Sequence, residues 1–219
     1  MHADYCRDMP VLASFAIYPR WLDDYIPSFS RVLIDSGAFS EFNSGKKVDG
    51  EAYKDWQSRW RETRHVDAIA GLDDIRGDWR LSLKNYERFG GFPTMHESDP
   101  PEFLTDLIPI ARERSNWIGV GLIPPRGGKW AWVKETLARI PDGLHVHIWA
   151  GGEYSGHPRC DSWDSTNWFR DAWKYKNQLP FLTPAECVEI VVKRYQRVQR
   201  KVMPKGSESG LFSDLDEAS

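Results

Sequence analysis

An α/β fold built from repeated strand–helix units is what this 219-residue sequence predicts. Three observations carry that reading. Short apolar runs alternate with amphipathic stretches of about a dozen residues, the pattern of parallel strands joined by helices. Several of the apolar runs end in acids or histidine: Asp35, Asp73 with Asp74, His96 with Glu97, and Asp161 with Asp164. No glycine-rich phosphate loop follows the first run, and Gly119 and Gly121 fall inside a strand, so the sequence lacks a dinucleotide-binding fingerprint.

In chain order, residues 11–17 read as a first strand, closed by Tyr18 and Pro19. Residues 32–34 form a second, which opens into Asp35, Ser36 and Gly37 where the backbone must turn. Residues 49–63 have helical character, with Tyr53, Trp56 and Trp60 spaced to share a face. A third strand over 66–74 precedes a helix over 78–89 that Gly90 and Gly91 stop. A short strand, 92–97, is followed by a helix opened by Pro100 and Pro101 and reaching residue 114. Strands over 117–123 and 144–152 flank a helix over 130–139, and 160–166 is the seventh strand segment. Thr183 caps a last helix, 183–202, whose Val188, Val191, Tyr195, Val198 and Val202 form an apolar stripe. The architecture expected is a compact TIM-type (β/α)8 barrel, trimmed or incomplete because seven strands stand where eight are needed. It occupies residues 1–205, ends in a basic helix, and leaves 206–219 as a disordered acidic tail. A doubly wound open sheet is the rival.

Composition narrows the function classes. With 41% hydrophobic and 28% charged residues and a net charge of −3, the chain suits one globular core. No apolar run is long enough for a membrane span, and the N-terminus lacks a secretory pattern, so a cytoplasmic protein is expected. Cys6, Cys160 and Cys187 are too dispersed for a disulfide framework or a clustered metal site. Neither a metal nor a cofactor is therefore expected. Overall charge gives no hint of nucleic acid, but residues 191–205 carry six basic groups and no acid. Lys193, Arg197, Arg200 and Lys201 are by default a solvated helix face and, on the nucleic-acid reading, contacts to a phosphate backbone. The eleven Trp residues suit both core packing and base stacking.

In a parallel sheet the strand-end acids gather at the carboxyl edge, where such folds keep their chemistry. One such acid is usually a turn cap; four such ends suit a small-molecule or base pocket. His145 and His147 are expected to alternate across their strand, one of them in the core, and they lack a third metal ligand. His96 with Glu97 reads equally as a satisfied polar pair or as part of the pocket.

Asp35, Ser36, Gly37, Ala38, Phe39 and Ser40 resemble the Asp-Ser-Gly-Gly-Phe/Tyr-Gln segment of tRNA-guanine transglycosylases. Asp164, Ser165, Thr166, Asn167 and Trp168 resemble the late Asp-Ser-x-x-Tyr/Trp segment of the archaeal and phage branches. The stretch 117–122 resembles the family's Gly-rich strand beside the base pocket, and 145–152 the strand preceding its nucleophile. The likeness spans roughly residues 11–170 in the right order and is greatest to the short phage-encoded relatives, some of which exchange guanine in DNA. Departures are Ala38 for the second Gly, Ser40 for Gln, and the missing zinc cluster and RNA-binding domain of the tRNA enzymes.

The resemblance implies a base-exchange transglycosylase that replaces guanine in DNA, alternatively in tRNA, with a 7-deazaguanine base. Asp164 would be the nucleophile and Asp35 the acid/base; Asp161 is the alternative nucleophile, since the repeat Asp-Ser-Trp-Asp-Ser aligns either way. Asp73 would accept the guanine N1 and N2 hydrogens, with Ser36, Gly37, His96, Gly119, Gly121 and Asp161 also around the substrate. The chemistry suits these residue types independently: one carboxylate stabilises or traps an oxocarbenium-like sugar while another manages the proton of the base. A glycoside hydrolase and an inactive nucleic-acid-binding barrel remain the alternatives.

Overall fold

A computed structural model describes residues 10–17, 23, 26–123, 129–154, 156–164, 177 and 181. The expected helix over 183–202, with Lys193, Arg197, Arg200 and Lys201, and the tail 206–219 lie outside the described residues. The chain is mixed α/β, with parallel strands. In order come β1 (Pro10–Ser14), β2 (Arg31–Asp35), α1 (Ala38–Ser44), α2 (Gly50–Ser58), β3 (Val66–Ile69), α3 (Trp79–Phe89), β4 (Thr94–His96), α4 (Phe103–Arg114), β5 (Trp117–Gly121), α5 (Trp130–Arg139), β6 (His145–Trp149) and β7 (Ser162–Trp163).

Every strand pair is parallel, and neighbours follow sequence order: β1-β2-β3, then β4-β5-β6-β7. The two groups meet at a single parallel bridge between Ala70 and Phe92. There the Phe92 amide donates to the Ile69 carbonyl at 2.7 Å and the Gly71 amide to the Phe92 carbonyl at 2.8 Å. Two buried tyrosines brace this seam from outside. Tyr53 of α2 donates to the Ala70 carbonyl at 2.5 Å. Tyr86 of α3 accepts from the Thr94 amide at 3.1 Å and donates to the Thr94 carbonyl at 3.3 Å.

Strand periodicity divides the sheet into two chemically different faces. Val32, Ile34, Met95, Ile118, Val120, Val146 and Ile148 point one way, into cores completed by Tyr53 and Trp56 of α2, Leu104 and Leu107 of α4, and Val133 and Leu137 of α5. On the other face Leu33, Ala68, Ala70, Phe92 and Trp117 form a smaller cluster, with Leu12 and Trp149 packed on it. Towards the carboxyl ends that same face turns polar, and the candidate site lies there.

Several elements differ from the sequence reading. The strand expected over 66–74 ends at Ile69, because Ala70 and Gly71 are already occupied in the seam and Tyr86 fills the space beside Gly71. Asp73 therefore stands on a loop, not at a strand tip. The helix expected over 49–63 ends at Ser58, although Tyr53, Trp56 and Trp60 are all buried as the spacing required. A helix not anticipated, α1, begins directly after Gly37, whose φ of +85° turns the chain out of β2. Asp49 and Asp78 cap α2 and α3, their carboxylates accepting amide hydrogens of the first turns. No helix among the described residues is long and apolar enough to cross a membrane.

Gly91 tests the seam. Its φ is +85°, and a Cβ there would lie 2.5 Å from the Ala70 oxygen and the Gly71 nitrogen, backbone atoms that cannot move aside. Gly91→Ala is expected to lower stability by about 2–5 kcal/mol, combining a left-handed backbone with overpacking. Gly143→Ala has the same φ but open space around it, and should cost only the backbone part, about 1–2 kcal/mol. Urea unfolding of the two variants, read as midpoint shifts, separates these effects; equal shifts would show that the seam is slack.

Candidate active site

Parallel registry brings the polar residues of different strands to one edge. Ser14 of β1 is the ladder partner of Asp35 of β2. Asp35 retains some solvent contact, yet burial dominates its environment and pushes its carboxyl up to about 6. The Ser14 hydroxyl and the Gly37 amide favour the ionised form, while the charges of Asp73 and Asp164 oppose it. Asp35 thus feels two carboxylates from distant parts of the sequence.

Asp73 is held by His96, whose Nε2 lies 2.8 Å from Asp73 Oδ2. Both side chains are nearly inaccessible, at 10% and 5% exposure. On the other edge of the ring, Nδ1 is 3.6 Å from Asp99 Oδ2, and that same oxygen accepts the His96 amide at 2.7 Å. Burial works against a charged ring here, but the two aspartates outweigh it and raise His96 to about 9. The result is an aspartate–imidazolium–aspartate unit at the end of β4.

Asp164 follows β7 directly. Its Oδ1 accepts the Ala150 amide at 2.5 Å and lies 3.4 Å from His147 Nε2. Ala150 has a φ of +53°, a left-handed conformation that is uncommon for a residue with a Cβ and typical of functional turns. On its far side, His147 Nδ1 is 2.8 Å from Ser162 Oγ.

The remaining candidates fall into place around these three acids. Ser36 is fully buried and its hydroxyl accepts the Ala38 amide at 3.3 Å, so it shapes the turn beneath Asp35. Gly37 lies against Ala16, where a Cβ would come within 2.2 Å of the Ala16 Cβ. Gly119 and Gly121 of β5 make room for the protein's own side chains. Thr94 and Trp149 cover Gly119 and bond to each other at 3.1 Å, and the His96 ring covers Gly121. Asp161 stands apart from this group. It precedes β7 as Asp164 follows it, so the strand carries them at opposite ends. Its Oδ2 accepts the Val146 amide at 2.7 Å, and it caps a backbone group rather than joining the strand-end acids.

Two pairings differ from expectation. Glu97 pairs with Lys129, not His96, and Lys129 also donates to the Ile123 carbonyl at 2.6 Å. Asp74 turns away from Asp73 and closes a local turn by accepting the Arg76 amide at 2.7 Å. One of the two histidines of β6 is buried as expected, His147, but they do not alternate, since residues two apart share a face; the exposed His145 lies over Trp117 with ring centroids 5.0 Å apart. Sequence reasoning passed over His147, Ser162 and Asp99. The usable signals were the His-x-His spacing on a strand, and a His followed three residues later by an Asp just beyond a strand end.

The aspartate–imidazolium unit predicts a pH signature. The folded chain binds the His96 proton more tightly than the unfolded chain does, so its contribution is complete below pH 6.5 and is lost as pH rises through about 9. NMR titration of the ring should find it protonated at pH 7. His96→Ala leaves two buried carboxylates without their cation and should cost about 3–5 kcal/mol at neutral pH. A ring that titrates near 6.5, or a variant with unchanged urea midpoint, would remove His96 from this role.

No protein-family model, curated protein or solved structure matches the chain, so the reading of this edge of the sheet rests on its own residues and geometry.

Proposed function

We propose that the chain is a base-exchange transglycosylase that replaces guanine in nucleic acid, DNA in the first instance, with a 7-deazaguanine base. The observation that carries this reading is that Asp73, on the loop after β3, and Asp164, at the end of β7, both lie within electrostatic reach of Asp35 at the end of β2. Chemistry at a glycosidic bond needs such a set: a nucleophilic carboxylate, a carboxyl that titrates near neutrality, and an acceptor for the base.

Asp164 attacks C1′ of the nucleotide, and the bond from C1′ to the base nitrogen breaks. Asp35 supplies the proton that lets guanine leave neutral. The entering base then returns a proton to Asp35 and displaces Asp164, so protons and electron pairs balance over the cycle. Asp73, with one oxygen held by His96, keeps the other for the N1 and N2 hydrogens of guanine. Ionised carboxylates only accept, which suits that edge of the base.

A compact TIM-type barrel is the architecture proposed for this site. Seven parallel strands among the described residues, in unbroken sequence order and with one face covered by helices, support it over a doubly wound sheet. A doubly wound sheet reverses its strand order and carries helices on both faces. Lys193, Arg197, Arg200 and Lys201 are proposed as phosphate contacts on the strength of their sequence spacing alone.

Expression of the chain in cells supplied with a 7-deazaguanine base, followed by mass analysis of nucleosides from DNA and tRNA, tests the reading. The modified nucleoside is expected in DNA. Its appearance in tRNA alone would reassign the substrate, and abasic sites without exchange would make the protein a hydrolase. Asp35→Asn should slow release of guanine by about 10²–10⁴-fold. Release needs the protonated carboxyl, so the wild-type rate should fall as pH rises through about 6, and that limb should vanish in the variant.

A further inference from the structure

The mechanism above leaves a buried histidine unused. His147 is 2% exposed, and its Nε2 has no hydrogen bond among the described residues, its nearest acceptor being Asp164 Oδ1 at 3.4 Å. Burying a polar nitrogen without a partner is unfavourable, so its place beside the proposed nucleophile calls for a reason. The other ring nitrogen is fixed by Ser162, itself buried at 2% exposure, at 2.8 Å. If the Ser162 hydroxyl donates to Nδ1, the ring proton sits on Nε2. If the ring carries both protons, Nε2 again bears one. Only the remaining tautomer would turn a lone pair towards the carboxylate, and that arrangement is repulsive.

We infer that His147 is a positioning residue for Asp164. The Ala150 amide already donates to Oδ1, and Nε2 stands 3.4 Å from that oxygen, close enough to become a second donor as charge develops there, which leaves Oδ2 as the oxygen that bonds to the sugar. This inference rests on the base-exchange reading and assigns the two half-reactions different sensitivities. When Oδ2 attacks C1′, the carboxylate loses negative charge, and donors on Oδ1 give no assistance. When the entering base displaces the ester, the electron pair of the C1′–Oδ2 bond returns to the carboxylate, and the two donors stabilise the charge that develops. His147 therefore acts in breakdown of the covalent intermediate rather than in its formation. The strained turn at Ala150 fits the same purpose, because the left-handed backbone accompanies an amide aimed at Oδ1.

The test uses the full 219-residue chain, a guanine-containing DNA duplex and radiolabelled guanine as the entering base. Denaturing gels report the covalent adduct, and label incorporation reports its breakdown by exchange. In His147→Phe, the adduct should form at the wild-type rate or faster, accumulate, and be chased by guanine about 10²-fold more slowly, the usual effect of losing one donor to a developing oxyanion. His147→Gln, which retains a donor, should recover part of the chase. Ser162→Ala, which frees the ring to change tautomer, should show the same imbalance in weaker form and substitutes for His147→Phe should the latter fail to fold.

Equal slowing of formation and chase, or a wild-type chase in the variants, would overturn the role of His147 while leaving base exchange intact. A wild-type chain that forms no adduct and incorporates no label with either DNA or tRNA would overturn the exchange reading and this inference with it.

Discussion

Parallel pairing in sequence order is the constraint on which the rest of this molecule depends. Because neighbouring strands run the same way, each connection returns over one face, and every strand ends at the same edge. Because side chains alternate, each strand offers that covered face its apolar residues and gives the other face to a different chemistry. Ser14, Asp35, Thr94, His96, His147 and Trp149 all occupy positions on this second face or at its ends, despite their separation in sequence. The glycines of β5 belong to the same arrangement. Without a Cβ at Gly119 and Gly121, Thr94, Trp149 and the His96 ring close over the strand from either side.

Gathering acids at one edge has an electrostatic consequence that the fold must absorb. Like charges taken out of water repel, and each must find a cation, a donor or a proton. The three acids use different solutions. Asp73 takes a cation, the imidazolium of His96, whose other edge is held by Asp99. Asp164 takes a neutral donor from the backbone, the Ala150 amide, and stays partly exposed, at 21%. Asp35 has the Ser14 hydroxyl and the Gly37 amide in its favour, but burial outweighs them and it holds its proton to about pH 6. Similar residues thus meet different surroundings at one edge of the sheet, which is the condition for giving them different roles.

Local signals in the sequence marked most of these elements, and the reason some failed is physical. Asp35 was legible because an apolar run followed by an acid and small residues reads as a strand opening into a turn, whereas Asp164, preceded by no apolar run, was singled out by the resemblance of residues 164–168 to a family segment. Helices α3 and α5 were legible to the residue or nearly so, and for α3 the Asp78 cap and the Gly90 stop are local signals. The end of β3 was not, because Ala70 looks like any strand residue until Phe92 is known to pair with it. Helix α1 was missed because the small polar residues after Asp35 suggest a loop, whereas Gly37 turns the chain straight into a helix. Pairing partners were least legible of all. His96 stands next to Glu97 in sequence, yet adjacent residues at a strand end diverge, and its partners are Asp73 and Asp99.

The repeat Asp-Ser-Trp-Asp-Ser shows how a three-residue spacing becomes a separation of roles. Strand β7 is only Ser162–Trp163, so the aspartates on either side of it stand at its two ends. Each takes a backbone amide at β6: Asp161 that of Val146 within the strand, Asp164 that of Ala150 just beyond its end. The pair clamps a strand too short to hold itself by its own ladder. At the amino end, among the described residues, the Asp161 carboxylate meets the Val146 amide and the exposed His145. At the carboxyl end the clamp uses a single oxygen. Asp164 keeps the other for the edge where Asp35 and Asp73 converge, so the same side chain can anchor the last strand and still carry chemistry. An amide oxygen could accept the Ala150 hydrogen equally well, so anchoring alone does not require a carboxylate at this position. On the base-exchange proposal, what requires one is the second oxygen.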